Sequence, residues 1–322
     1  MPLSELSSQN GIGRPTVNTV GVVGLGVIGC SWTALIIAQG IDVVAYDPSS
    51  DAEKRAAAEI DAQEPALRAL GLTAEQRGRF TMASSIEEVA SQVDVIQENG
   101  PELLDAKRKL IAQISQLAPP DVVIASSTSG IMPSDFSSEA VAPERVLVGH
   151  PFLPVTIMPL VEVVGGQLTS PIAVNWASRY YEALGKKAVV LQRELPGFLA
   201  NRFQVLVFEE ALSLIERGAA TVEDIEAIFT DGIGLRWNLF GPISLLTLAG
   251  GEAGIKDTWK RFSGHHSSVR DSIERLDNAA LAISLVKEQS KYLSAANDPA
   301  GTNALRDRLL LAELKSRVGN GE

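Results

Sequence analysis

From Val17 the chain alternates short apolar runs with longer amphipathic stretches. VNTVGVVG is a β-branched run that stops at glycine and passes into VIGCSWTALIIAQG, whose apolar residues persist long enough for a helix. Gly40 ends that helix and DVVAYD follows as a second buried strand, closing one right-handed β-α-β unit. Residues 51–70 have Ala, Glu, Arg and Leu at helical spacing, VDVIQ at 93–97 is a strand, and DAKRKLIAQISQLA at 105–118 is an amphipathic helix. Further short apolar runs bounded by Pro, Gly or charge lie at 122–126, 146–150, 160–164 and 187–191. Strands separated by helical segments predict an α/β class, a Rossmann-type mostly parallel sheet covered on both faces.

Past residue 191 no strand-like alternation returns, and helical stretches run from Gly197 to Arg217, near Val222 to Phe229, and through the last sixty residues. The pattern therefore predicts a polar N-terminal arm over 1–16, a nucleotide-binding domain over 17–195 and an all-α C-terminal domain over 196–322. FLANRFQVLVFEEALSLIE is apolar on nearly every face, which predicts burial between domains or against another subunit.

Composition narrows the class. The 322 residues hold 28 Lys+Arg against 39 Asp+Glu, a net charge of −11, and no basic run, which disfavours a nucleic-acid partner. No apolar stretch is long enough to span a membrane, and the first sixteen residues lack the charge and apolar core of a secretory signal. The single cysteine, Cys30, cannot form an intrachain disulfide and fits a reducing, cytoplasmic setting.

Gly24, Gly26 and Gly29 form a G-x-G-x-x-G between a strand and a helix, and Asp47 ends the next strand 18 residues after Gly29. In that context Gly24 allows the tight turn, Gly26 the approach of a pyrophosphate, and Gly29 close helix packing, while Val27 and Ile28 open the helix whose N-terminus receives the anion. Asp47 accepts both ribose hydroxyls and repels a 2′-phosphate, which favours NAD over NADP. Lys54 and Arg55 are read as solvated helix residues. No metal is implied.

Of three histidines, His265 and His266 lie in the polar stretch SGHHSS, whereas His150 ends the VLVG strand, where open parallel sheets bind ligands. Glu162 stands inside the apolar run LVEVV, a costly place for an unpaired carboxylate. A His150–Glu162 pair would fix the imidazole tautomer and leave the other nitrogen to take a proton from a substrate hydroxyl; two unconnected strand-end residues is the other reading, and the sequence leaves both open. Ser127, Thr128 and Ser129 follow another strand, where hydroxyls suit a substrate oxygen, though serine is also common in turns. Asn201 and Arg202 open the apolar helix after Pro196 and Gly197 and either cap it or project into a cleft.

Taken together, GLGVIG with Asp47, then PELLDAK, SSTSG, HPFLPVTIMPLVEVVGG, ELPGFLANR and GLRWNLFGP occur in the order found in the L-3-hydroxyacyl-CoA dehydrogenase superfamily. From about Val20 to about Gly254 the chain resembles that superfamily, and within it the branch of L-carnitine dehydrogenase and L-gulonate 3-dehydrogenase (lambda-crystallin). The resemblance implies that His150 is the catalytic base with Glu162 its partner, that Ser129 and Asn201 hold the substrate oxygen, and that Glu102 and Lys107 lie beside the cofactor. It also implies a homodimer acting on a small hydroxy acid. Two departures stand out: Leu153 replaces a usual Asn near the base, and Ser127 replaces an Asn common before the Thr-Ser pair. Relatives that use CoA thioesters carry a lysine-rich helical hairpin after the second strand, whereas here residues 51–80 mix basic with acidic groups, which disfavours CoA. LRWNLFGP and LAGGEAG resemble the carnitine branch most; Trp237 and Phe240 are either ring faces for a trimethylammonium group or core residues of the helical domain, the commoner role for such aromatics. The alternatives are an acyl-CoA or gulonate dehydrogenase, a crystallin-like NAD-binding structural protein, for which Leu153 leaves room, and an unrelated Rossmann reductase with a lysine acid.

Overall fold

The computed structural model describes residues 16–261, 278–289 and 298–319. The arm expected over 1–16 falls outside this range except for Thr16, as do His265 and His266. Eight strands form one sheet in the order β3-β2-β1-β4-β5-β6-β7-β8. They are β1 Thr19–Val23, β2 Asp42–Tyr46, β3 Phe80–Met82, β4 Val95–Glu98, β5 Val123–Ser126, β6 Val146–Pro151, β7 Leu160–Gly165 and β8 Lys187–Val190. All neighbours pair in parallel except β6 and β7, which are antiparallel.

The central strands are buried along their whole length, β4, β5 and β6 without an exposed residue, as expected where helices cover both faces. The covering helices are α1 Val27–Ala38, α2 Ala52–Ala69, α3 Ile86–Ala90, α4 Leu104–Leu117, α5 Pro133–Phe136 and α6 Pro171–Ala183. Helix α1 is buried from Gly29 to Ala38 and packs with α2 against one face. The end of α4 is closed from outside itself: Arg145, buried, donates to the carbonyls of Ser115, Ala118, Pro119 and Val122. Ser115 lies in the last turn and Ala118 at the cap, where a helix leaves orphan carbonyls, and Pro119 and Val122 belong to the loop that follows.

The chain divides into two compact units, Met1–Asn201 with Leu305–Glu322, and Arg202–Ala304. The division falls in the first turn of helix α7, Ala200–Glu216, and the chain's end joins the first unit. Among its described residues the second unit has helices and no strand, with α8 Val222–Ile228, a π-turn Phe229–Ile233, α9 Gly234–Leu239, α10 Pro242–Ala249 and α11 Ala279–Gln289; the described chain closes with α12 Pro299–Gly319. Thr221 and Asp224 form a capping box at the start of α8, and Val222 N–H donates to Gln289, tying α8 to α11. Among the described residues no helix is long and apolar enough to cross a membrane.

Candidate active site

Strand register gathers the candidate residues at one edge of the sheet. Val23 is paired with both Tyr46 and Glu98, Glu98 with Ser126, and Ser126 with Val148. The residues that follow these positions therefore share the carboxyl edge: Gly24, Asp47, Asn99, Ser127 and, one further on, His150. The strand order reverses between β1 and β4, which makes this the switch-point crevice where open α/β sheets hold ligands.

The glycine turn is built for an outside partner. A Cβ on Gly29 would lie 1.9 Å from the Gly24 carbonyl oxygen, so helix α1 needs glycine to sit against the turn. Gly26 is different, because a Cβ there would meet nothing within 4 Å and its φ of −73° suits any residue. Its space is left open by the protein, as a cradle for a pyrophosphate requires. The N-terminus of α1 has no side-chain cap and no acidic residue in its first turn, and Val27 is 71% exposed, so its first N–H groups stand ready for an anion. Asp47 accepts from Leu25 N–H at 2.8 Å and from Ser49 N–H at 2.9 Å, which fixes its carboxylate beside the turn.

His150 and Glu162 are in contact. Nδ1 of His150 donates to Oε2 of Glu162 at 2.9 Å, and both side chains are buried. Oε1 of Glu162 accepts from Leu199 and Ala200 N–H, each at 3.0 Å. Burial pushes the Glu162 carboxyl up, but the hydrogen bond from His150 and those from the two amides outweigh it and hold the group below the ordinary carboxylate value. Two rings pack on the imidazole, with centroids 4.7 Å from Phe152 and 5.4 Å from Phe198. Phe198 has a φ of 53°, the only left-handed non-glycine among the described residues, a conformation that costs of order 1–3 kcal/mol.

Ser129 and Asn201 are also brought together, Asn201 Nδ2 donating to the Ser129 carbonyl at 2.7 Å. Glu102 braces the same turn: its Oε1 accepts from Thr128 Oγ1 at 2.6 Å, Ser129 N–H at 2.9 Å and Ser129 Oγ at 3.2 Å. Glu102 thereby fixes both the amide and the hydroxyl of Ser129 in the turn.

Sequence comparison matches residues 19–195 to the family model "3-hydroxyacyl-CoA dehydrogenase, NAD binding domain" and residues 197–282 to "3-hydroxyacyl-CoA dehydrogenase, C-terminal domain". The chain belongs to the 3-hydroxyacyl-CoA dehydrogenase family. It is 47% identical over 266 residues to an L-carnitine dehydrogenase of Streptomyces griseus, covering 82% of this chain and 79% of that one. An L-carnitine dehydrogenase of Pseudomonas aeruginosa is 42% identical over 301 residues, 92% of this chain and 93% of its own. Among solved structures, a 5-formyl-3-hydroxy-2-methylpyridine 4-carboxylic acid 5-dehydrogenase, described as an NAD+-dependent dismutase, superposes with a TM-score of 0.82 at 27% identity, over 95% of this chain and all of that one. The chain is an NAD-dependent dehydrogenase of this family.

Within that family frame, several expected residues sit differently. Ser127 does not face a substrate: it is buried, its hydroxyl donates to Asn99 Oδ1 at 2.7 Å and accepts from Gln97 and Trp32, so every valence is used inside the domain. Lys107 is 1% exposed and held by both oxygens of Glu98 at 2.9 Å, with Glu102 at 3.9 Å. Glu98, absent from the candidates named above, also accepts from Ser126 Oγ and Gly100 N–H. The signal was present, since Glu98 is a carboxylate in an apolar strand, as Glu162 is. Leu153, the departure three residues after His150, is half exposed. Trp237 and Phe240 lie in the helical unit, 44% and 53% exposed, and Trp237 lines an open apolar hollow of about 400 Å³ with Arg236, Pro242 and Leu245.

Proposed function

We propose that this protein oxidises the 3-hydroxyl of a small L-3-hydroxy acid, with L-carnitine the preferred substrate. The observation that carries the reading is the His150–Glu162 hydrogen bond at the carboxyl edge of the sheet, beside a glycine turn open to a dinucleotide. Bound NAD supplies the hydride acceptor. Glu162 holds Nδ1–H, so Nε2 of His150 is the basic nitrogen and takes the hydroxyl proton as the carbinol carbon gives up its hydride. Ser129 and Asn201 orient the reacting oxygen, and Glu102 with Lys107 braces the turn that carries Ser129.

The relatives at 47% and 42% identity favour carnitine, and the second β-α segment argues against CoA. Arg55, Arg68, Arg77 and Arg79 are paired with Asp51, Glu64, Asp61 and Asp42, leaving little free positive charge there for CoA phosphates. The exposed rings of Trp237 and Phe240 offer the faces a quaternary ammonium favours. Two further readings belong here. The working form is a homodimer, supported by Phe203 and Leu206, neighbours on one face of α7 and each more than 60% exposed in the single chain, apolar surface of the kind that marks an association site. The location is cytoplasmic, supported by the buried, unpaired Cys30.

The test is a parallel assay of L-carnitine, L-gulonate and L-3-hydroxybutyryl-CoA with NAD and with NADP. The expected result is a kcat/KM for L-carnitine with NAD at least about tenfold above every other pair, within what differential transition-state binding supplies. Equal or greater turnover of the CoA thioester overturns the substrate assignment.

A further inference from the structure

Phe198 is an unlikely residue for its backbone. It follows Gly197, whose φ is 72°, and itself adopts a φ of 53°, with its N–H donating to the Leu195 carbonyl in a tight turn. Glycine would take that conformation freely, and asparagine or aspartate with little cost; an aromatic side chain is among the poorest choices. The ring is nevertheless present, fully buried, with its centroid 5.4 Å from that of His150 at an interplanar angle of 55°. Phe152 lies on the imidazole as well, at 4.7 Å and 54°. The two residues after Phe198 present the amides that hold Oε1 of Glu162. One turn thus supports both halves of the dyad, one through a side chain and one through the backbone.

We infer that Phe198 is a positioning residue for the His150–Glu162 dyad, its ring confining the imidazole to the rotamer in which Nδ1 meets Glu162. The inference rests on His150 being the base. Glu162 holds Nδ1, but the side-chain torsions still let the ring swing off that bond; the rings of Phe152 and Phe198, packed at 4.7 and 5.4 Å, limit this freedom. The left-handed backbone is retained because the ring has to enter from the chain segment that also delivers the Leu199 and Ala200 amides.

The experiment compares Phe198→Leu, which keeps the apolar volume, with Phe198→Gly, which relieves the backbone and loses the ring. The first readout is the NMR signal of the His150 Nδ1 proton, assigned by its loss in His150→Gln; the second is kcat with the best hydroxy acid alongside KM for NAD. In both variants the proton signal is expected to move and to exchange faster with water. The kcat is expected to fall about ten- to a hundredfold, the scale of a small misplacement, with KM for NAD within about twofold. If Phe198→Leu does not fold by circular dichroism, Phe198→Met takes its place. An unchanged proton signal in both variants overturns the inference whatever the rates, and so does a wild-type kcat in both. Normal turnover in His150→Gln would instead remove the base assignment, and the proton signal would still report whether Phe198 orients the ring.

Discussion

His150 and Glu162 are register partners on the one antiparallel pair of the sheet, joined from Nδ1 to Oε2 at 2.9 Å. Directly opposed residues of an antiparallel ladder project to the same face within side-chain reach. The reversal of β7 against β6 is therefore what turns two strand residues into a dyad.

That contact has a pH signature. The Glu162 carboxyl is held below its ordinary value, 4.5, so the folded state binds the proton less readily than the unfolded chain. Its stabilisation is fully present above the unfolded value and is lost as the pH falls through the lower folded value. Chemical denaturation from pH 7 down to about 3 should show the wild type losing its advantage over Glu162→Gln across this acid window. A constant difference over the whole range would contradict the pairing.

Lys186 carries a signature of opposite placement. It is buried and donates to the carbonyls of Val155 and Met158, the second at 3.0 Å, holding the segment that joins β6 to β7, and burial pushes its ammonium down to about 7. Between that value and the ordinary 10.5 the unfolded chain binds more protons than the folded one, so stability rises with pH across this window. Lys186→Met should flatten the rise. Denaturation midpoints of both proteins from pH 7 to 10.5 check it, and parallel curves would count against it.

Two glycines of one motif should fail in different ways. Gly29→Ala forces a Cβ onto the Gly24 carbonyl and should lower Tm by several degrees, about the effect of a few kcal/mol in a domain of this size. Gly26→Ala meets only open space, so Tm should stay within about 2 °C while KM for NAD rises about tenfold or more, since the new methyl occupies the pyrophosphate approach. Calorimetry and NAD titration separate the two, and an unchanged KM in Gly26→Ala would contradict the cradle.

The buried Glu98–Lys107 pair is expected to be costly to break and cheap to remove. Lys107→Met leaves the Glu98 charge without its cation and should destabilise by about 3–5 kcal/mol, whereas Glu98→Gln with Lys107→Met should recover much of that loss. Urea denaturation of the single and double variants measures it, and simple additivity would argue against coupling.

Much of this architecture is readable from the chain, for physical reasons that differ by element. The α/β alternation and the glycine turn are local patterns with one period each, and both appear where the sequence puts them. Strand β3 is missed because three residues, FTM, hold too little pattern. The antiparallel β7 was within reach: the eight residues between Pro151 and Leu160 are too few for a parallel crossover. Ser127 and Ser129 look alike in sequence, and only packing shows one turned inward to Trp32 and the other braced by Glu102. Helix α7 is apolar on most faces, yet only Leu212, Ser213 and Ile215 are buried in the single chain, because periodicity reveals that a surface must be covered and not by what.

Whether His150 is the base of an NAD-dependent alcohol oxidation is decided by NADH formation from L-carnitine in the wild type and in His150→Gln. The wild type is expected to produce NADH steadily and the variant to lose about 10²- to 10⁴-fold in kcat, with NAD binding intact. Near-normal turnover by His150→Gln would contradict that role.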